Sequence, residues 1–483
     1  MVNTGFGLAP LGVADTLVPF TLHIPDTDIS QLSSLVQSAV IGAPSFYNTH
    51  NTTSNPSYDI GISRDWLANA AEAWVHDFDW RALETRWNAL PQFTINVTVP
   101  SDGQVFDLHF GALFSRHPDA VPVILSHGWP SSWLDYIPLL ELLAARYTPE
   151  TLPYHIVTPS IPDHGLSTRS RVAKTELDFY AAAEALNELM KALGFAAYIA
   201  QGGDVGSAVT AALGASYDEC KAVLCMYTLS SNPPPTDSPQ RETKPTADCH
   251  SLPCLIHFQV NNFLITATEG SGLENLPVTP EENATIAAAQ QYLSTGTGYL
   301  LEQGTKPGTI SLVLMTNPLA LLGWYVFPHI TYLELGLHKV YFAKLPLQRI
   351  GSLYSEIGTL PLATILEQVS WYWYTKSYGR SLWPYRAAWA AALRNEHAEK
   401  LPSPFAIQSK PVGYSWFPAE VLTSAKSWVE HWFPNNLVFF RAHKSVSCFC
   451  TSVASPCSFC AALLDGADTD FFYDNLGWSF RCA

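Results

Sequence analysis

Between Tyr198 and Val209 the chain reads "YIAQGGDVGSAV": an apolar run, two glycines, Asp204, one spacer and a third glycine. This order suits a strand that turns sharply into a helix and lifts the residue at the turn above the strand ends. Such an elbow needs a parallel sheet beneath it, and from Val121 onward the sequence supplies one. "VPVILSHGWP", "YHIVTPSIPDHG", "YIAQGGDVG" and "AVLCMYTL" are continuous apolar runs closed by turn residues, the pattern of strands covered on both faces. Between them, stretches such as "ELDFYAAAEALNELMKAL" (Glu176 to Leu193) carry a 3.6-residue periodicity. Strands alternating with helices define an α/β architecture.

The flanks differ in texture. In "FDWRALETRWNALPQFTINV" (Phe78 to Val97), Trp80, Leu83, Trp87 and Leu90 recur at helical spacing until Pro91 stops the helix. After about Ser231 the strands are expected to stop, giving way to a Pro-rich and then helical, aromatic segment; sheet character returns with "FAIQSKPVGYSWFP" and "NNLVFFRAH". A long helical insertion between two strands of such a sheet commonly forms a lid over the strand ends. The expected division is an N-terminal domain over 15–110, a first core part over 111–230, a helical lid over 231–401, a second core part over 402–443 and a Cys/Ser-rich tail over 444–483.

Asp204 by itself is open to a bland reading, a solvated aspartate in a glycine-rich turn. Two further features favour chemistry. "HGWP" (His127, Gly128, Trp129, Pro130) follows an apolar strand directly, and in an α/β-hydrolase arrangement that loop supplies one oxyanion-hole donor while the residue after the nucleophile supplies the other. Here those donors are the backbone N–H groups of Trp129 and Val205. The parts also run in hydrolase order: oxyanion strand, elbow, helical insertion, acid, final strand. "GGDVG" lacks the G-x-G-x-x-G spacing of a dinucleotide site. A carboxylate nucleophile suits substitution at saturated carbon, because it leaves an ester that water can cleave where serine would leave an inert ether. The reaction then needs an acid for the departing oxygen and a base for the ester step.

With these parts in place, the chain resembles the fungal and microsomal-type epoxide hydrolases over roughly residues 15 to 443. "FDWRALETRWNALPQFTINV" resembles that family's N-terminal segment, "HGWP" its oxyanion loop and "QGGDVGS" its nucleophile elbow; "GYLLEQGTKPGTISLVLMTNPLALLGW" (Gly298 to Trp324) is similar to its lid signature. The resemblance implies an α/β-hydrolase fold with a mostly parallel sheet, a helical lid insertion and a helical N-terminal domain. It implies conversion of an epoxide to a vicinal diol through an aspartyl ester on Asp204, with no cofactor and no metal. Tyr299 and Tyr385 match the lid tyrosines that bind and protonate the epoxide oxygen, and Glu420 matches the acid that orients a catalytic histidine.

The histidine itself is missing. Where the family carries a Gly-Gly-His-Phe type motif this chain reads "KSVSCFC", with Cys448 near the histidine's slot, and no histidine follows His443. His443 is one candidate substitute base, five residues before Cys448, and His164 in "PSIPDHGLS" is a weaker second. The abrupt shift to Ser and Cys after Lys444 is expected to reflect an unspliced intron or a frame error. Cys448, Cys450, Cys457 and Cys460 fit a zinc site poorly, because the first pair is too closely spaced. A thiolate in the histidine's place attacks esters rather than activating water, so turnover is expected to be impaired. The alternatives are a non-catalytic epoxide- or lipid-binding protein and, third, a haloalkane dehalogenase, which would need halide donors instead of two tyrosines.

Composition bounds the partners. With 26 Lys+Arg against 42 Asp+Glu, a formal net charge of −16 and no long basic cluster, nucleic acid and anionic membranes are not expected partners. The first twenty residues contain no Lys or Arg, and no apolar stretch is long enough to span a bilayer, so a cytoplasmic, soluble protein with a detoxifying or metabolite-processing role is expected. The expected partners are a small hydrophobic epoxide and, for the assembly, a second copy of the chain in a homodimer.

Overall fold

The structure, a computed structural model, describes residues 5–10, 12–49, 61–169, 175–225, 258–260, 273–334, 362–394, 412–416, 424–432, 434 and 437–442. The chain begins with β1 (Val18–Phe20), α1 (Asp26–Gln37), α2 (Phe46–Thr49), α3 (Arg64–His76) and α4 (Trp80–Asn88). Side chains fix where two of these helices start: Ser63 accepts the N–H of Trp66 at α3, and Asp79 accepts that of Ala82 at α4. The helix expected up to Pro91 is α4, and "QFTINV" beyond it is a strand. That strand, β2 (Gln92–Thr98), pairs with β3 (Val105–Leu113), so the segment read as helical also contributes antiparallel strands to the sheet.

The core continues with β4 (Val121–Ser126), α5 (Ile137–Arg146), β5 (Tyr154–Pro159), β6 (Thr168–Arg169), α6 (Phe179–Ala192), β7 (Tyr198–Gly202), α7 (Val205–Ser216) and β8 (Cys220–Cys225). Then come β9 (Phe258–Val260), α8 (Pro280–Thr295), α9 (Gly298–Thr305), α10 (Pro307–Leu314), α11 (Pro318–Glu334), α12 (Leu362–Thr375), α13 (Trp383–Arg394), β10 (Val412–Trp416), α14 (Lys426–Trp432) and β11 (Leu437–Ala442). The sheet runs β1-β2-β3-β5-β4-β7-β8-β9-β10-β11, with β6 beside β3. Every pair from β5/β4 to β10/β11 is parallel, and the pairs from β1 to β5 are antiparallel.

One expected boundary is corrected. Strands do not stop at residue 231: β9 lies inside the expected lid and pairs in parallel with both β8 and β10. These three residues end the short apolar stretch "CLIHFQV" (Cys254 to Val260), which the sequence reading passed over inside a Pro-rich segment; the sheet takes them up because β8 and β10 each offer an edge.

The strand alternation separates two cores. Val123, Leu125 and Ile156 pack with Leu140, Trp87 and Trp371 on one face, whereas Ile124 and Val157 pack with α6 and α7 on the other. On the first face α12 is bracketed by the N-terminal segment. Trp80 packs on Tyr374 at 4.5 Å between ring centroids, Trp87 on Trp371 at 5.9 Å, and Trp74 Nε1 donates to Ser370 Oγ at 3.0 Å. Buried Glu282 ties lid to core: it accepts Thr279 N at 2.9 Å at the start of α8 and Lys426 N at 2.8 Å at the start of α14.

The closest approach in the fold lies under the elbow. A Cβ on Gly206 would sit 2.2 Å from the carbonyl oxygen of Ser126, and one on Gly202 would sit 2.2 Å from that of Gly206. Strand β4, the end of β7 and the first turn of α7 thus meet backbone to backbone. Gly206→Ala is therefore expected to lower the chemical-denaturation midpoint by the cost of an overpacked core, roughly 1–3 kcal/mol or more. Unfolding curves of the two proteins check this.

Candidate active site

Asp204 sits between β7 and α7 with φ 51° and ψ −126°, a left-handed backbone that an aspartate adopts at a cost on the order of 1–3 kcal/mol. The surroundings enforce it. Ser207 N and Oγ both donate to the Asp204 carbonyl, at 3.0 and 2.5 Å, and the Cβ of Asp204 lies over Gly128, where any side chain would come within 2.6 Å. The carboxylate is half-buried, and Oδ1 accepts the backbone N–H of Trp129 at 2.7 Å. The N–H of Val205 bonds to it as well. Burial nevertheless outweighs both donors and pushes its pKa up to about 6.

The residue that supplies the first donor also supplies a platform. The indole of Trp129 is nearly parallel to the ring of Tyr299, 5.9 Å between centroids and 4° between planes, and meets Tyr385 edge-on at 4.7 Å. Tyr299 and Tyr385 lie 5.7 Å apart edge to face. Helix α9 brings the first tyrosine and α13 the second, and Arg386 Nη1 joins the two helices by donating to the Gly304 carbonyl at 3.3 Å. Two tyrosines 86 positions apart in sequence thereby face one tryptophan whose own backbone holds the carboxylate.

His127 is not free for proton transfer. Its Nε2 accepts the N–H of Ile161 at 3.1 Å, so Nδ1 carries the proton and donates to the Gly128 carbonyl at 2.8 Å. Burial holds its pKa down to about 4. Pro130 is buried beside it. His164 is fully buried against His127 and Trp383, its Nδ1 bonded to the Pro162 carbonyl. Burial first, then the neighbouring His127, holds its pKa well below the ordinary histidine value. Glu420, His443, Cys448 and the tail lie outside the described residues. Among the described residues no group of three or more His, Cys, Asp or Glu side chains could hold a metal ion, and no helix is long and apolar enough to cross a membrane.

Several neighbours of the site escaped the sequence reading. Gln303 stands one helical turn after Tyr299 inside the quoted "GYLLEQGTKP", so i, i+4 spacing could have found it. Tyr378, Ser381 and Gln368 had no pattern to announce them. Asp135, in the 3-10 turn Trp133–Tyr136, accepts Gln368 Nε2 at 2.9 Å, while Gln368 Oε1 accepts Ser132 Oγ at 2.9 Å. Burial, with smaller contributions from Glu367 and Asp204, raises the Asp135 pKa to about 7.

A strand–turn–helix elbow on the parallel part of a mixed sheet, followed by a helical insertion, defines a protein of the α/β-hydrolase fold, and the pattern of that fold matches residues 121–247. The pattern described as epoxide hydrolase N terminus matches residues 17–136. A "Putative epoxide hydrolase" of Dothistroma septosporum is 35% identical over 432 residues, covering 88% of this chain and 84% of that protein. The solved structure of Aspergillus niger epoxide hydrolase superposes with a TM-score of 0.70 at 30% identity, covering 96% of this chain and 99% of the other. The juvenile hormone epoxide hydrolase of the silkworm Bombyx mori shares the fold, with a TM-score of 0.69 at 18% identity over 96% of both chains. The chain belongs to the epoxide hydrolase family.

The raised pKa of Asp135 carries a stability consequence. An acid whose folded pKa lies above its unfolded value favours the folded state at low pH, and that contribution is lost as pH rises from about 4 through about 7. Asp135→Asn keeps an acceptor for Gln368 and removes the charge. It is expected to raise the thermal midpoint at pH 8, with the gain shrinking toward pH 5, as a melting series across that range would record.

Proposed function

We propose that the chain opens epoxides by attack of the Asp204 carboxylate on a ring carbon. The observation that carries this reading is the convergence of a half-buried carboxylate, two backbone N–H donors and two tyrosines on Trp129. In the first half-reaction an Asp204 oxygen forms a bond to carbon, the carbon–oxygen bond of the ring breaks, and the departing oxygen takes a proton from Tyr299 or Tyr385. The result is an aspartyl ester. In the second half-reaction water attacks the ester carbonyl, whose developing negative charge is stabilised by the N–H groups of Trp129 and Val205. The bond between the acyl carbon and the diol oxygen then breaks, that oxygen takes one proton from the water, and the other passes to the tyrosinate, so the vicinal diol leaves with Asp204 and the tyrosine both restored.

The second half-reaction needs a base, and residues 444–483 contain no histidine. Glu420 with His443 is the pair left to activate water. With Cys448 in place of the family's histidine, ester hydrolysis is the slow step. Epoxide capture without turnover is the second reading, favoured by that same missing histidine. The division that goes with this reading is an N-terminal domain over 15–110, core parts over 111–230 and 402–443, a helical lid over 231–401 and a tail over 444–483, with β9 (Phe258–Val260) adding a strand to the sheet from within the lid range. A net charge of −16 fits a cytoplasmic enzyme acting on apolar epoxides, and size-exclusion chromatography decides between a monomer and a homodimer.

Intact mass after incubation with styrene oxide tests the first step. The expected product is a one-to-one adduct that is absent in Asp204→Asn; diol in large excess over protein, with no lasting adduct, would show that a base had been recruited. Because Asp204 must be ionised to attack, the adduct should form at full rate above about pH 6 and ever more slowly below it. An acidic limb near pH 4 instead would mean that the carboxylate is not desolvated in the working enzyme.

A further inference from the structure

Gln303 is fully buried among aromatic rings, a costly place for an amide unless its hydrogen bonds serve a purpose. Its Oε1 accepts two donors from two other lid elements: the hydroxyl of Tyr378 at 2.7 Å and the indole N–H of Trp324 at 3.0 Å. An indole N–H can only donate, so the orientation of the amide is settled. Tyr378 in turn meets the Trp129 ring at 6.0 Å, and its carbonyl accepts the Ser381 hydroxyl at 2.8 Å. The Trp129 indole N–H donates to that same Ser381 oxygen at 3.2 Å. Trp129 then returns to the start, because its ring lies parallel to Tyr299, one turn before Gln303 on α9. Gln303, Tyr378, Ser381, Trp129 and Tyr299 therefore form a closed circuit. The backbone N–H of Trp129 links this circuit to Asp204.

We infer that Gln303, through Tyr378 and Ser381, is a positioning residue that sets the Trp129 platform and Tyr299 against Asp204. An apolar side chain of the same length would fill the space and leave the helices packed. It would release the Tyr378 hydroxyl, and with it the orientation of the indole on which Tyr299 lies. Alignment of acid and nucleophile is worth more in rate than in substrate affinity, because the tyrosine's hydrogen bond to the ring oxygen strengthens as charge develops on that oxygen in the transition state. The inference rests on the proposed reading of Tyr299 as one of the two proton donors of the first half-reaction.

The test is the rate of the Asp204-dependent styrene oxide adduct, followed by quenched intact mass against epoxide concentration. Gln303→Met is expected to slow the saturated rate about 10- to 100-fold while the half-saturating epoxide concentration stays within about twofold. In a Tyr299→Phe background the same substitution should slow the reaction markedly less, since only the route through Tyr385 on the same indole remains. Tyr378→Phe should slow the reaction in the same direction, and its effect should not add to that of Gln303→Met. Equal slowing by Gln303→Met with and without the Tyr299 hydroxyl overturns the inference, as does no slowing where Tyr299→Phe does slow. If Tyr299→Phe leaves the rate unchanged, or the unmodified chain forms no adduct, the underlying reading falls and the inference with it. Should Gln303→Met fail to fold, Tyr378→Phe and Ser381→Ala, each removing one oxygen, apply the same comparison.

Discussion

Everything at the site depends on one bond, the backbone N–H of Trp129 on the carboxylate of Asp204. That bond forms because two loops from neighbouring parallel strands are forced together. Gly128 has no side chain to keep Asp204 away, and Gly206 lets the first turn of α7 touch the Ser126 carbonyl. The strained φ of Asp204 is the local cost of this approach, and the backbone contacts around it keep the chain from relaxing. Half-buried in this way, the carboxylate has a pKa pushed up to about 6, because burial outweighs the two backbone donors that favour its charge.

Trp129 joins two levels of organisation that usually come from separate residues. Its backbone fixes the carboxylate, and its ring fixes the distance and angle at which α9 and α13 present their tyrosines. The lid is in turn held from outside. Helix α12 lies between the tryptophans of the N-terminal segment and the Trp133 side of the core. The order of support runs from N-terminal segment to α12, and from core loop to Trp129.

Much of this was legible in the chain. The strands around the elbow could be read because parallel strands covered on both faces are continuous apolar runs, and Asp204 could be read because glycines at the close approaches leave a fixed spacing. Tyr299 and Tyr385 could be named only through family resemblance, since an isolated tyrosine in an aromatic helix looks like any core residue. Strand β9 was passed over: the short apolar stretch "CLIHFQV" follows a Pro-rich segment and fits a strand or a buried helix alike, and pairing with the edges of β8 and β10 is what makes it a strand. Antiparallel β2 and β3 were hidden behind the helical signal of α4.

The sequence by itself determined the elbow, the carboxylate at its tip, the oxyanion loop and the order of the parts, because each is a local pattern whose physics acts within a few residues. The tertiary structure alone decided which groups meet. That Trp129 touches Asp204 through its backbone and two distant tyrosines through its ring follows from sheet register and helix packing. So does the position of Gln303, Tyr378 and Ser381 in one circuit around it, because contacts between residues far apart in the chain are set by how whole elements pack and leave no period in the sequence to read.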